Sequence, residues 1–177
     1  MLSKSKKFTA PEPLSPAHDS ENFDSGELSL NEWLQKRALK NQASGSSRCF
    51  VICQEKNKQE NRKIVGYYTL SAGAIAHEFS PKNMTRNRPN PLPILLLGRL
   101  AIDTKYHNQG LGSALLRDAM IRAVSVASDA GVSAILVHAL SQNAKQFYLS
   151  RGFIESPLQP MTLMMTLDTA RKILEEP

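Results

Sequence analysis

Cysteine is scarce in this chain: two residues in 177, Cys49 and Cys53, both within the stretch RCFVICQ. On a strand they stand on one face, about 13 Å apart at ~3.3 Å rise per residue. A disulfide needs Cα atoms within about 7 Å, so they cannot bridge each other. With no histidine close by in sequence, no metal centre is expected, and the pair reads as buried, reduced thiols. Long hydrophobic runs are missing as well. None approaches the ~18 residues that span a bilayer, and the strongest, Ile94 to Leu97, is a strand's worth. The start, MLSKSKKFTAPEP, carries positive charge with no apolar stretch after it, unlike a secretory signal. Internal repeats and low-complexity tracts are absent. At 41% hydrophobic and 21% charged residues the composition excludes a disordered or collagenous protein. The expectation is one globular domain over residues 1–177, cytoplasmic and without a membrane partner.

What the chain does have is a concentrated basic excess. The net charge is +6. Residues 79–122 carry Lys82, Arg86, Arg88, Arg99, Lys105, Arg117 and Arg122 against Asp103 and Asp118, a net +5, with +2 before this segment and −1 after it. Such a distribution suits a polyanionic partner, while an ordinary solvated basic surface would look the same in composition.

Patterning divides the chain into alternating elements. Residues 1–27 are polar and hold Pro11, Pro13 and Pro16, so an extended N-terminal segment is expected. Ser29-Leu30-Asn31-Glu32 has the form of a capping box. Leu30, Trp33, Leu34 and Ala38 then follow at helical spacing, with Gly45 beyond the end. Strands are expected over Arg48–Gln54 and Ile64–Ala74, joined as an antiparallel hairpin by the polar connection Glu55–Lys63. Four prolines within residues 80–93 mark a long surface loop, a feature that is often functional. Ile94–Ile102 reads as a strand buried on both faces, and a helix runs from Gly110 to about Ala130. A strand at Ala134–Leu140, a helix at Asn143–Arg151 stopped by Gly152, and a last strand at Met161–Leu167 complete the pattern. Residues 169–177 form a short helical or frayed tail. Strands alternating with helices give an α/β or α+β class.

The sharpest motif is Asn108-Gln109-Gly110-Leu111-Gly112-Ser113, between a buried strand and a long helix. Glycines let the backbone approach a ligand, and a helix start offers free amides and a positive dipole end, which together suit a pyrophosphate. A Walker loop is excluded, because no Lys-Ser/Thr follows Gly110. The Rossmann fingerprint is incomplete, with Leu115 in place of its third glycine.

Two further blocks sharpen this. The strand LGRLAID, the loop NQGLGSALL and the later FYLSRGF together resemble the GNAT acyltransferases, which use acetyl-CoA as co-substrate and no metal. His107 departs from the Arg or Gln that usually opens that loop. The resemblance implies an α/β (α+β) GNAT fold: a mixed sheet splayed around the cofactor, with helices on both faces. It also implies main-chain groups near Leu100, Ala101 and Ile102 for the pantetheine arm. Amides from Asn108, Gln109, Gly110, Leu111, Gly112 and Ser113 would hold the pyrophosphate. Asn143 would contact the cofactor, and Tyr148 would face its sulfur as the catalytic acid.

The match extends further. HDSENFDSG followed by LNEWL, then VGYYTL, then LGRLAI are similar to the GNAT toxins of type II toxin–antitoxin modules, in the same order over roughly Phe8 to Leu167. Ser25 stands where that early block often has Cys. This resemblance implies acetylation of the α-amine of aminoacyl-tRNA, arrest of translation, and neutralisation by a ribbon-helix-helix antitoxin that binds operator DNA. A homodimer is expected. Lys82, Arg86, Arg88 and Arg99 would contact the tRNA.

The chemistry tolerates this. A free α-amine titrates at about 7.7–8.0, so part of it is neutral at cytosolic pH and a dedicated strong base is optional. Tyr148 can donate to the CoA sulfur, and a main-chain amide at the end of the central strand could polarise the thioester carbonyl. His138, in the apolar strand ILVHAL, reads first as a core histidine; His107 could touch phosphate, and His77 with Glu78 could assist the amine. Protein N-termini or small-molecule amines are the alternative substrates, although cationic amines would favour an acidic cleft.

Overall fold

The computed structural model describes residues 8–55 and 62–177; residues 1–7 and 56–61, which include most of the expected 55–63 connection, lie outside the described residues. Along the chain the elements are strands β1 (Glu12–Pro13) and β2 (His18–Asp19), helices α1 (Leu28–Lys36) and α2 (Ala38–Ser44), and strands β3 (Arg48–Cys53) and β4 (Arg62–Ile75). A 3₁₀ turn at His77–Phe79, helix α3 (Lys82–Thr85), strand β5 (Leu92–Ile102) and a second 3₁₀ turn at Thr104–Tyr106 follow. The chain closes with α4 (Leu111–Asp129), β6 (Ala134–His138), α5 (Gln142–Leu149), β7 (Ile154–Glu155), β8 (Thr162–Thr166) and α6 (Leu167–Glu175). The strands order as β1-β3-β4-β5-β6-β8-β7, with β2 beside β4. β2 with β4 and β5 with β6 are parallel; β1 with β3, β6 with β8 and β7 with β8 are antiparallel. The mixed sheet expected from the sequence is present.

Packing divides the chain into two compact units, the first reaching Thr69 and including Arg99–Leu116, the second comprising Leu70–Gly98 and Arg117–Pro177. In the first unit β3 is buried at five consecutive residues, Cys49 to Cys53, as its run of apolar and β-branched side chains dictates. Phe23, Trp33, Leu34, Ala38, Val51, Ile64, Tyr67 and Ala101 form its core. The Tyr67 ring stacks on Trp33 at 5.9 Å, and its hydroxyl donates to the Leu30 carbonyl at 2.8 Å, so the aromatic layer is fixed at both ends. Gly66 is required by close approach: a Cβ there would lie 2.6 Å from Ile102 Cδ1.

The helix expected after a Ser29 cap departs from expectation in two ways. The capping box does not form. Glu27 is the N-cap, without a side-chain hydrogen bond, which leaves Ser29 inside the first turn. The preceding loop supplies the order instead: Asn31 Oδ1 accepts from the Ser25 amide at 2.8 Å, and Asn31 Nδ2 donates to Asp24 Oδ1 at 2.9 Å. Glu32 reaches forward to Lys36 at 2.7 Å. The helix also breaks at Arg37 (φ −125°, ψ −27°), and Gly45 closes α2 in the left-handed conformation at φ 74°.

In the second unit β5 and β6 pair from Ile94↔Ala134 to Leu97↔Val137, and there the parallel register ends. Met84, Leu92, Ile94, Ala134, Leu136 and Met164 are its buried cluster. Residues 80–93 are not one loop. Met84 turns inward on the short helix α3, and the strand already begins at Leu92, because two large apolar side chains in that stretch can be buried. β7 was not expected, since two residues carry no periodicity. The tail is a formed helix: Thr166 caps α6 by accepting from the Thr169 amide at 3.0 Å, and Leu167 and Ala170 are buried.

Candidate active site

The end of β5 is followed by a tightly bonded turn. Asp103 accepts from the Lys105 amide at 2.9 Å and from the Asp24 amide at 3.1 Å, while its own amide donates to Val65 at 2.9 Å. The His107 ring donates through Nε2 to the Ile102 carbonyl at 2.7 Å. That nitrogen is therefore spent on holding the loop to the strand end rather than on a phosphate. It also occupies one main-chain group of the Leu100–Ile102 set. Beyond it Asn108 (φ 60°) and Gly110 (φ 77°) adopt left-handed backbone, and α4 begins at Leu111. Asn108, Gln109 and Gly110 are exposed, and Leu111, Gly112 and Ser113 half-buried, with Leu115 and Leu116 anchoring the helix beneath them. Nothing lies within 4 Å of a Cβ placed on Gly110, so its glycine serves the left-handed turn. Exposed backbone leading into a 19-residue helix fits a phosphate-bearing ligand in both charge and access.

Helix α5 carries the other expected residues. Ser141 caps it by accepting from the Ala144 amide at 3.1 Å. Asn143 is exposed in the first turn, and Tyr148 is buried at 6% exposure between the edges of Phe147 (5.1 Å) and Phe153 (5.4 Å). The tyrosine hydroxyl makes no hydrogen bond to protein among the described residues. Burial pushes the phenol above its ordinary range, so it stays protonated through neutral pH. One turn earlier, Lys145 is buried and pairs with Glu155 at 2.6 Å, tying α5 to β7. No local feature of the sequence pointed to this pair.

The basic residues separate. Lys82 lies exposed on α3 with Arg86 exposed just after it, and Arg88 sits 3.9 Å from Asp168. Arg99 belongs to the first unit, where its guanidinium lies over the Trp33 ring at 4.2 Å. In the second unit the His77 ring bonds the Pro89 carbonyl and its amide donates to Asn90 at 3.2 Å, which leaves it a structural tie; Glu78 is exposed. His138 is exposed rather than in the core: it ends β6, and Nδ1 meets Thr162 Oγ1 at 2.8 Å.

One cluster escaped the sequence reading. Donor atoms of Glu12, His18 and Cys53 lie within 4.8 Å of one another. His18 Nδ1 accepts from the Ser15 amide at 3.0 Å, so Nε2 holds the proton and donates to Glu12 at 3.0 Å. Arg62 takes the same carboxylate at 2.6 Å, and the His18 bond together with Arg62 holds Glu12 below the usual carboxylate range. Burial pushes the Cys53 thiol up to about 12. With the imidazole protonated on the facing nitrogen and the carboxylate doubly paired, this is an ion-pair knot between β1, β2 and β4.

Known proteins resemble this chain in sequence and fold. The Acetyltransferase (GNAT) domain model matches residues 45–155. A tRNA-acetylating toxin of Mycobacterium tuberculosis is 45% identical over 167 residues, spanning 94% of this chain and 97% of the relative. The structure of AtaT complexed with acetyl-methionyl-tRNAfMet superposes with TM-score 0.86 at 28% identity, covering 94% and 99% of the two chains. A tyrosine-to-phenylalanine mutant of AtaT, bound to the C-terminus of the antitoxin AtaR and acetyl-CoA, superposes with TM-score 0.80 at 27% identity, covering 96% and 99%.

Proposed function

The chain belongs to the GNAT acetyltransferase domain family, and from that premise we propose that it transfers acetyl from acetyl-CoA to the α-amine of aminoacyl-tRNA and so acts as a toxin that blocks translation. The observation that carries this reading is the 45% identity, over nearly the whole of both chains, with a tRNA-acetylating toxin. The left-handed turn at Asn108 and Gly110, leading into the α4 amides, supports a pyrophosphate-bearing ligand at this loop.

Acetyl-CoA, when bound, supplies the acetyl group already activated as a thioester. Amides from Asn108 to Ser113 take the pyrophosphate, main-chain groups of Leu100 and Ala101 with the amide of Ile102 take the pantetheine arm, and Asn143 adds a polar contact. As the amine nitrogen bonds to the thioester carbonyl carbon and the C–S bond breaks, the Tyr148 hydroxyl, which burial keeps protonated, would give its proton to the departing thiolate, and the proton lost by the nitrogen would restore the phenol. Water is kept from the phenol by Phe147 and Phe153. Because an α-amine is partly neutral at pH near 7.5, a dedicated strong base is optional. Lys82, Arg86, Arg88 and Arg99 supply positive charge for the RNA backbone. A ribbon-helix-helix antitoxin, through which the pair reaches operator DNA, and a cytoplasmic homodimer complete the proposal; no helix among the described residues is long and apolar enough to cross a membrane.

The test uses labelled acetyl-CoA and a pool of charged tRNAs, with the aminoacyl ends identified by mass spectrometry. Acetylated aminoacyl ends are expected. Label found on protein N-termini and none on RNA would replace the tRNA reading with the alternative substrate.

A further inference from the structure

We propose that Arg99, stacked on Trp33, and Arg37, one helical turn beyond it, form a clip for a phosphodiester of bound RNA. The inference rests on the tRNA reading for its ligand and on the first unit alone for its geometry.

Arg99 is half-buried, with Cζ 4.2 Å from the centroid of the Trp33 ring. The indole is itself held rigidly: Tyr67 stacks on it at 5.9 Å with planes 10° apart, and Phe23 packs edge-on to Tyr67 at 5.6 Å. Arg37 follows Trp33 by one helical turn, its amide donating to the Trp33 carbonyl at 2.9 Å, and its side chain is exposed. The ionisable groups that face Arg99 are Tyr67, Cys49 and Arg37. None is an acid at neutral pH, and neither guanidinium has an ion pair or a side-chain hydrogen bond among the described residues.

This arrangement is unfavourable without a ligand. A cation partly withdrawn from water needs a counter-charge, and here its neighbour has the same sign. Burial and the Arg37 charge both press the Arg99 guanidinium below its usual range, yet it remains charged at any physiological pH. Stacking on Trp33 offsets part of the cost and fixes the plane, which leaves N–H edges available as a fork. A planar fork suits the paired oxygens of a phosphate, and two guanidinia within electrostatic reach of each other suit a phosphate better than a single carboxylate. Phosphate could come from the RNA or from the cofactor, and the two sources separate by experiment.

The experiment compares wild type, Arg37→Gln, Arg99→Lys and the control Arg48→Gln in the full chain. Arg48 is an exposed cation already donating to the Gln42 carbonyl at 3.2 Å. Filter binding to uncharged tRNA is measured from about 50 to about 200 mM salt, and acetyl-CoA affinity alongside. Arg37→Gln is expected to weaken tRNA binding about tenfold and to lower the slope of log K against log salt by about 1, with acetyl-CoA affinity unchanged. Arg99→Lys keeps the charge and loses the fork, so binding falls with little change in slope. The clip is overturned if Arg37→Gln leaves the slope at the wild-type value, if Arg48→Gln lowers it equally, or if acetyl-CoA affinity falls in place of tRNA affinity. A wild-type chain that binds tRNA without acetylating it, and whose slope still drops in Arg37→Gln, would sink the substrate reading and leave the clip standing.

Discussion

The loop before α4 and the face of α5 present opposite kinds of chemistry. The loop offers main chain: its residues from Asn108 to Gly110 are exposed, and their usefulness depends on backbone angles rather than on side chains. Helix α5 offers one hydroxyl on a ring enclosed by two phenylalanines. A site built from amides tolerates most substitutions, because every residue but proline supplies the same N–H. A proton supplied by a single oxygen has no such redundancy. Binding and chemistry should therefore fail separately, and the contrast is breakable by mutation.

Tyr148→Phe is expected to have the largest effect. It removes one oxygen and keeps the ring that fills the space between Phe147 and Phe153. Loss of a general acid costs roughly 10²–10⁴ in kcat, while acetyl-CoA affinity and thermal stability should stay near wild type. Stopped-flow turnover paired with calorimetric titration reads both. A variant that turns over at the wild-type rate would remove the phenol from the mechanism, and with it the division between the two regions.

Gly110 tests the other side at smaller scale. A left-handed φ of 77° costs a residue with Cβ about 1–2 kcal/mol, and no clash adds to it, since the Cβ would enter open space. Gly110→Ala should weaken acetyl-CoA about tenfold, with kcat at saturation little changed. Gly110→Asn should lose less, because asparagine tolerates this region, as Asn108 at φ 60° already demonstrates. Equal losses for Ala and Asn would mean that side-chain volume, not backbone angle, governs the loop.

Both regions were exposed by the sequence itself. The glycine loop, the strand before it, the helix after it and the short helix ending at Gly152 were all legible, because each is signalled by neighbours in sequence. Pairings between distant residues were not. Nothing local links Trp33 to Arg99, Lys145 to Glu155 or Glu12 to Arg62, and each depends on strands and helices packing first. Local signals also misled where a competing bond was better. Ser29 and Glu32 have capping-box spacing, but Asn31 already organises the loop from Asp24 to Gly26, so the helix starts two residues early. Prolines around residues 80–93 suggested a free loop, and the burial of Met84 and Leu92 outweighed them. His138 sits in an apolar run and is nevertheless exposed, because the strand ends at that residue.

Cys49 and Cys53 carry the same contrast to its smallest effect. Burial raises these thiols as it raises the Tyr148 phenol, but here no ligand chemistry depends on the proton. Cys49 and Cys53 both move from an ordinary 9.0 up to about 12, with burial the main cause in each. In the unfolded chain they ionise near pH 9, while in the folded chain they hold their protons to about pH 12. Between those limits the folded state binds more protons, so stability falls as pH rises, and below about pH 8 the thiols contribute nothing to the pH dependence. The urea midpoint should therefore drop modestly from pH 8 to about pH 10.5, and Cys49→Ala with Cys53→Ala should flatten that part of the profile. At pH 8 a thiol reagent should label the folded chain more than tenfold slower than the chain in urea, because access and thiolate fraction are both low. Fast labelling at pH 8 would show that the first unit opens readily around β3. Its aromatic layer would then be too loose to hold the Arg99 guanidinium in place.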